Sequence, residues 1–211
     1  MIETDRLLLR KPTMEDLDRW AEMMADPVAS RYLGGVVHAP IAWRILMQVR
    51  GAWELTGISM FSVVEKRRGL WVGRVGPWRP LGWPGNEVGW GLHPDAWGKG
   101  YALEAAIASI DYAFDELRWE SVVHCINPEN RPSQALARRL GSRVLRQDTM
   151  VASFGTEIVD VWGQDRAEWP ANRERARASL VDQPRRVFAS GGTTFSREGA
   201  ENAENSVRRR D

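Results

Sequence analysis

Residues 86–117 constrain the fold of this chain more than any other stretch. From Asn86 to Leu92 the sequence alternates Val88, Trp90 and Leu92 with Glu87, Gly89 and Gly91, the two-residue period of a strand. His93-Pro94 makes a turn, Gly98-Lys99-Gly100 a glycine loop, and a helix begins at once, with Leu103, Ile107, Ile110, Phe114 and Leu117 on one face. Glycines at a helix entry let backbone N–H groups point outward, and the helix N-terminus adds about half a positive charge. The unit is an anion cradle whose usual guest is phosphate.

The missing residues narrow that guest. Lys99 is followed by Gly100 rather than by a hydroxyl residue that could hold magnesium, so a triphosphate-binding loop is excluded. Only Gly98 and Gly100 match the dinucleotide fingerprint, and the loop lies in mid-chain. On the strand before it, Glu87 shares a face with Gly89 and Gly91. Glycine weakens a strand unless a close approach needs the space, so the face with the carboxylate is read as the face with room for a ligand.

Lys and Arg number 29 against 28 Asp and Glu, a net charge of +1, so no overall field attracts nucleic acid or an anionic membrane. A single cysteine, Cys125, rules out an internal disulfide, and with no long apolar run the expectation is a cytoplasmic protein without a membrane partner. His38, His93 and His124 show no metal-ligand spacing among themselves or with Cys125, so no metal is expected. Cys125 reads as a small core residue, because His124, its neighbour, points to the opposite face of a strand.

In chain order, Thr4 to Lys11 reads as a strand and Leu17, Trp20, Met23 and Met24 as a short helix. A second helix runs from Pro40 to about Leu55, with strands at Ser59 to Glu65 and Leu70 to Val75 joined by a solvated Lys66-Arg67-Arg68 turn. Pro77 to Gly85 reads as a turn-rich loop. Its Trp78 and Trp83 line an apolar acceptor pocket, cap the sheet edge or meet a partner subunit, and the last leaves a homodimer open. A strand at Ser121 to Asn127, a helix at Pro132 to Leu140 and strands at Arg143 to Arg146 and Glu157 to Trp162, joined around Ser153 to Gly155, complete a domain over 1–180. Residues 181–211 carry few apolar side chains and read as a disordered tail.

Trp97-Gly-Lys-Gly-Tyr-Ala102 with Glu104-Ala105 resembles the acetyl-CoA pyrophosphate loop of the GNAT superfamily of N-acetyltransferases, in its RimJ/RimL-like form. Asn127-Pro-Glu-Asn-Arg-Pro-Ser133 with its downstream Leu140-Gly141, Thr4 to Arg10, and Val159 to Trp162 with Glu168-Trp169 resemble other segments of the family in the family's order. The resemblance implies an α/β (α+β) fold with a mixed, mostly antiparallel sheet of about six to seven strands flanked by helices and splayed between the fourth and fifth strands. It implies acetyl-CoA as cosubstrate, held by Leu92, Trp97, Gly98, Lys99, Gly100, Tyr101, Ala102, Asn127 and Asn130. It also implies Glu87 as the base, Ser133 near the sulfur, and an acceptor site over the first two helices that includes Tyr32.

An ammonium has no lone pair, so amine acetylation needs a base, and burial would raise the pKa of Glu87 toward a useful range. The tyrosine that many of these enzymes carry on the helix after the Asn-x-x-Ser segment is replaced here by Ala137, which leaves Ser133 or water to protonate the thiolate. The reaction expected is direct attack in a ternary complex on a primary amine: a protein N-terminus, an amino acid or a small molecule. The rival reading is a non-catalytic acyl-CoA-binding regulatory module.

Overall fold

The computed structural model describes residues 1–152 and 155–181, without the side chains of 150–157 and 181. The expected disordered tail and the centre of the last hairpin therefore lie outside the described residues. An eight-stranded sheet runs in the order β1-β2-β3-β4-β5-β6-β8-β7. Its strands are β1 (Ile2–Glu3), β2 (Leu7–Arg10), β3 (Phe61–Glu65), β4 (Leu70–Trp78), β5 (Glu87–Leu92), β6 (Ser121–Ile126), β7 (Arg143–Ala152) and β8 (Gly155–Asp165). Helices α1 (Leu17–Ala25), α2 (Ala39–Thr56), α3 (Tyr101–Asp115), α4 (Arg131–Arg139) and α5 (Trp169–Val181) flank it. Every neighbouring pair is antiparallel except β5 and β6.

The sheet has one more strand than the upper expectation because Ile2 and Glu3, ahead of the expected Thr4 to Lys11 strand, form a short strand of their own, while the expected one narrows to Leu7–Arg10. Thr4 turns the chain back, donating its N–H to Leu7 O at 2.9 Å, so that Ile2 and Glu3 pair with Leu9 and Leu8. Strand lengths differ as well, with β7 and β8 both running past the expected Arg143 to Arg146 and Glu157 to Trp162. β4 continues through Pro77 and Trp78, which pair with Val88 and Glu87. β3 stops pairing at Phe61↔Val75, so Pro77 stands where β4 has one neighbour and its missing N–H is tolerated. Residues 169–181 form a helix that few apolar residues announce. Trp169 and Ala176 bury it against α3, where Asp111 accepts from Trp169 Nε1 at 2.7 Å and Arg173 Nη1 at 3.1 Å.

The core lies on both faces of the sheet. On one, Leu103, Ile107, Ile110 and Phe114 of α3 pack against Leu7, Leu9, Val63, Val72 and Val88. On the other, Trp20, Met23 and Met24 of α1 and Leu46 and Val49 of α2 pack around Trp71. Between them β4 carries a bulge: Val64 pairs with Trp71 and Val63 with Gly73, leaving Val72 as the extra residue. Gly73 takes φ +155°, and a side chain there would stand 2.5 Å from Gly91 O. Only glycine fits, and the residues after it change faces.

Candidate active site

β5 and β6 share a single paired position, Glu87↔Val123, before they diverge. Beyond it His124 bridges the strands with its side chain. Its Nδ1 lies 2.7 Å from Val88 O, which can only accept, so Nδ1 carries the proton and Nε2 accepts from Ser142 Oγ at 3.0 Å. Burial holds the imidazole neutral by lowering its pKa to about 4, against a smaller opposing pull from the Val88 carbonyl. The expected splay is therefore present between β5 and β6, which are the fourth and fifth strands once the added β1 is set aside.

One cavity, about 660 Å³, opens between Trp90 to Leu92, the glycine loop and α4. Gly98 and Gly100 have φ of +71° and +76°, and Gly100 begins α3 without a capping side chain. The first amides of α3 thus face the groove uncapped, as an anion requires. Trp97 Nε1 donates to Leu92 O at 2.9 Å and ties the loop to the end of β5. Behind the loop, Glu104 accepts from Thr4 Oγ1 at 2.6 Å and from Arg6 N at 2.9 Å, while Arg6 Nη1 donates to Lys99 O at 2.8 Å. The β1–β2 hairpin clamps the cradle from outside.

A second cavity, about 450 Å³, lies between the α1–α2 connection, β4 and the foot of β6. Tyr32, Leu33, Trp90, Asn130 and Ser133 line both, so the cavities meet there. At that junction Trp90 Nε1 donates to Ser133 Oγ at 3.1 Å, and Asn130 caps α4 by accepting from Ser133 N at 3.2 Å. Glu87 is buried in the second cavity, where its Oε2 accepts from Trp83 Nε1 and its Oε1 from Cys125 N at 3.3 Å. Desolvation lifts its carboxyl to about pH 7, outweighing these hydrogen bonds and the attraction of Arg74.

A family model for an acetyltransferase (GNAT) domain matches residues 6–143. The chain belongs to the GNAT acetyltransferase family. It is 30% identical over 141 residues to the uncharacterized N-acetyltransferase p20 of Bacillus licheniformis, covering 65% of this chain and 79% of that protein. An acetyltransferase structure from Agrobacterium tumefaciens matches at 30% identity with a TM-score of 0.67, over 78% of this chain and 94% of the other. A GNAT-family acetyltransferase from Bacillus anthracis, at 24% identity over 79% of this chain and 99% of its own, has a TM-score of 0.68 and shows the fold alone. The family transfers acetyl from acetyl-CoA, and the protein is an acetyl-transferring enzyme.

In this acetyltransferase Leu92, Trp97, Gly98, Gly100, Tyr101, Ala102 and Asn130, all expected to hold the cosubstrate, line the larger cavity together. Lys99 does not: its side chain is exposed and its carbonyl is engaged by Arg6. Asn127 lines the smaller cavity, and its Oδ1 accepts from Glu129 N at 2.9 Å to close the turn into α4. Tyr32, Trp78 and Trp83 all line the smaller cavity with Glu87. The space that Gly89 leaves is filled by Met60 and by the carboxylate of Glu87, whose Oε1 would be 3.2 Å from an added Cβ. Cys125 also lines this cavity, but burial, reinforced by Glu87, pushes its thiol well above the ordinary range, opposite to what a nucleophile needs.

Arg74 was not read from the sequence. It lines the smaller cavity, its Nε is sealed from solvent without a hydrogen-bond partner, and its guanidinium carbon lies 5.2 Å from the centre of the Trp20 ring. Among the described residues no group of three or more His, Cys, Asp and Glu could hold a metal, and no helix is long and apolar enough to cross a membrane.

Proposed function

We propose that this enzyme moves acetyl from acetyl-CoA to a primary amine by direct attack in a ternary complex. The observation that carries the reading is the junction of the two cavities, with Ser133 and Trp90 at the meeting point and Glu87 buried on the side away from the glycine loop. Gly98 to Ala102 and the α3 N-terminus fit a pyrophosphate, and the edge of β5 at Gly91 and Leu92 fits the arm that follows it. Acetyl-CoA supplies the acetyl group as a thioester.

The rest of the chemistry belongs to this chain. Glu87, with a pKa near 7, takes the proton that the attacking amine must lose, directly or through water. Trp90 Nε1 donates to Ser133 Oγ, which frees the serine proton to point at the departing thiolate. A covalent route through Cys125 is disfavoured by its raised pKa. A raised acceptor-side carboxylate has no use in a purely regulatory acyl-CoA module, which favours the enzyme reading of these residues.

Calorimetric titration with acetyl-CoA, followed by CoA thiol release against a panel of amines, tests this reading. Release should depend on the amine, with an acid limb in kcat/KM near pH 7 that disappears in Glu87→Gln. Binding without release across the panel would defeat transfer, and an unchanged limb in Glu87→Gln would remove Glu87 as the base.

A further inference from the structure

Arg74 has no ion-pair or hydrogen-bond partner for its guanidinium among the described residues, and its Nε is sealed from water. Surface arginines do not require explanation; a cation turned into a cavity does, because an unpaired buried charge destabilises a fold. The bulge at Val72 puts it there. Trp71 and Val72 face opposite cores, and simple alternation would send Arg74 to the α3 side with Val72. The extra residue instead returns Arg74 to the face of Trp71, over the Trp20 ring and into the cavity of Glu87. Gly91 is its partner in the ladder, and Leu33 fills the space above that glycine, with Cδ1 3.1 Å from where a Cβ would stand.

The Glu87 carboxylate stands against Gly89 and Arg74 pairs with Gly91 in the ladder, so the two side chains enter the cavity from positions two strand residues apart, roughly 7 Å. Hydrogen bonds of ~2.9 Å from each to one ligand leave that ligand's two ends only a few bonds apart. We propose that the acceptor is a small amine bearing its own carboxylate, of the amino-acid class, and that Arg74 holds the carboxylate while the amine lies toward Glu87. The inference rests on the transfer reading above. It selects against a peptide N-terminus, where an uncharged amide stands in place of the carboxylate.

The test compares free amino acids with their amides and with N-terminal peptides, in wild type, Arg74→Met and Arg74→Lys. In wild type kcat/KM should favour the acid by roughly 10- to 100-fold, a ratio that falls toward one in Arg74→Met and is partly kept in Arg74→Lys. Equal use of acid, amide and peptide by wild type overturns the proposal, as does a preference that survives in Arg74→Met. Arg74→Met should also melt above wild type, since it removes a cation without a partner; a lower melting temperature would mark Arg74 as a structural residue and count against the proposal. Should Arg74→Met fail to fold, the wild-type ratio and Arg74→Lys decide. Titrating CoA-loaded protein with an N-acetylamino acid and its amide separates the two readings. Tighter binding of the acid, lost in Arg74→Met, upholds Arg74 even if no amine releases CoA, and equal binding overturns it.

Discussion

Replacing Glu87 by Gln should stabilise the protein at pH 8 relative to its effect at pH 4. Burial raises the folded-state pKa of Glu87 from 4.5 to about 7. Between those values the folded protein keeps a proton that the unfolded chain has released. The stability linked to that proton is fully present below pH 4.5 and is lost as pH rises through 7. A shift of that size amounts to about 3 kcal/mol at 1.36 kcal/mol per unit. Gln cannot titrate, so the loss is absent from the variant. Gln also offers one oxygen to two donors, Trp83 Nε1 and Cys125 N, and the unanswered donor costs about 1 kcal/mol at every pH. That constant displaces the difference between variant and wild type without bending it. The difference should therefore rise by about 3 kcal/mol in favour of Gln between pH 4.5 and 8, which is roughly 6–12 °C in Tm for a domain of this size. Urea unfolding of both proteins at half-unit pH steps measures it. A flat difference would refute burial as the force on Glu87, and a difference of opposite slope would mean that Arg74 outweighs desolvation.

The same Glu87→Gln protein should uncover the contrary slope of His124, whose folded pKa is lowered from 6.5 to about 4, so that stability present above pH 6.5 is lost as pH falls toward 4. In wild type the two slopes overlap and offset each other; in the variant about 3 kcal/mol should disappear on acidification, and a level acid branch would contradict a buried neutral His124. Asp16 is buried and accepts from Arg10 Nη1 and Nη2 at 2.8 and 2.6 Å, Ser62 Oγ at 2.6 Å and Thr13 N at 2.9 Å. Asp16→Ala should cost about 3–5 kcal/mol in urea unfolding, because it strands several buried donors at once. Gly98 and Gly57 have φ of +71° and +70° with open space around both, so alanine at either should cost about 1 kcal/mol of stability. Only Gly98→Ala should weaken acetyl-CoA binding by calorimetry, and equal affinities for the two variants would remove the glycine loop from the cosubstrate site.

What could be read from the sequence was local. The strand of Glu87, the glycine loop and the buried face of α3 depend on periods of two and of three to four residues and on glycine's freedom at positive φ, all contained within residues 86–117. The elements read poorly have their reasons elsewhere in the chain. β7 was expected to end at Arg146 but runs to Ala152, because as the sheet's outer strand it is held by β8 alone, and its exposed Val144 and Leu145 break the alternation that marks a half-buried strand. α5 has too few apolar residues to announce itself and forms because Asp111 on α3 receives Trp169 and Arg173. The β1–β2 hairpin hides for a related reason, since Thr4 and Arg6 are held by Glu104, nearly a hundred residues away.

The candidate site divides along the same line. Glu87 was legible because an unbroken strand preserves its parity from Asn86 to Leu92, so its neighbours Gly89 and Gly91 mark its face. Arg74 was illegible because one bulge reverses the parity of everything after it. In the sequence Leu70-Trp-Val-Gly-Arg-Val, counting by twos assigns Arg74 to the face of Val72, and nothing local signals the extra residue except Gly73. What makes Gly73 necessary is Gly91 O, on a strand that sequence analysis can place beside β4 only after the topology is known. The bulge thus explains how a cation comes to share the cavity of Glu87. A regular β4 would have placed Arg74 on the α3 side with Val72 and left the cavity of Glu87 without a cation. A device that moves a cation into a cavity and leaves it unpaired is costly to the fold, which is why its purpose belongs with the ligand rather than with stability.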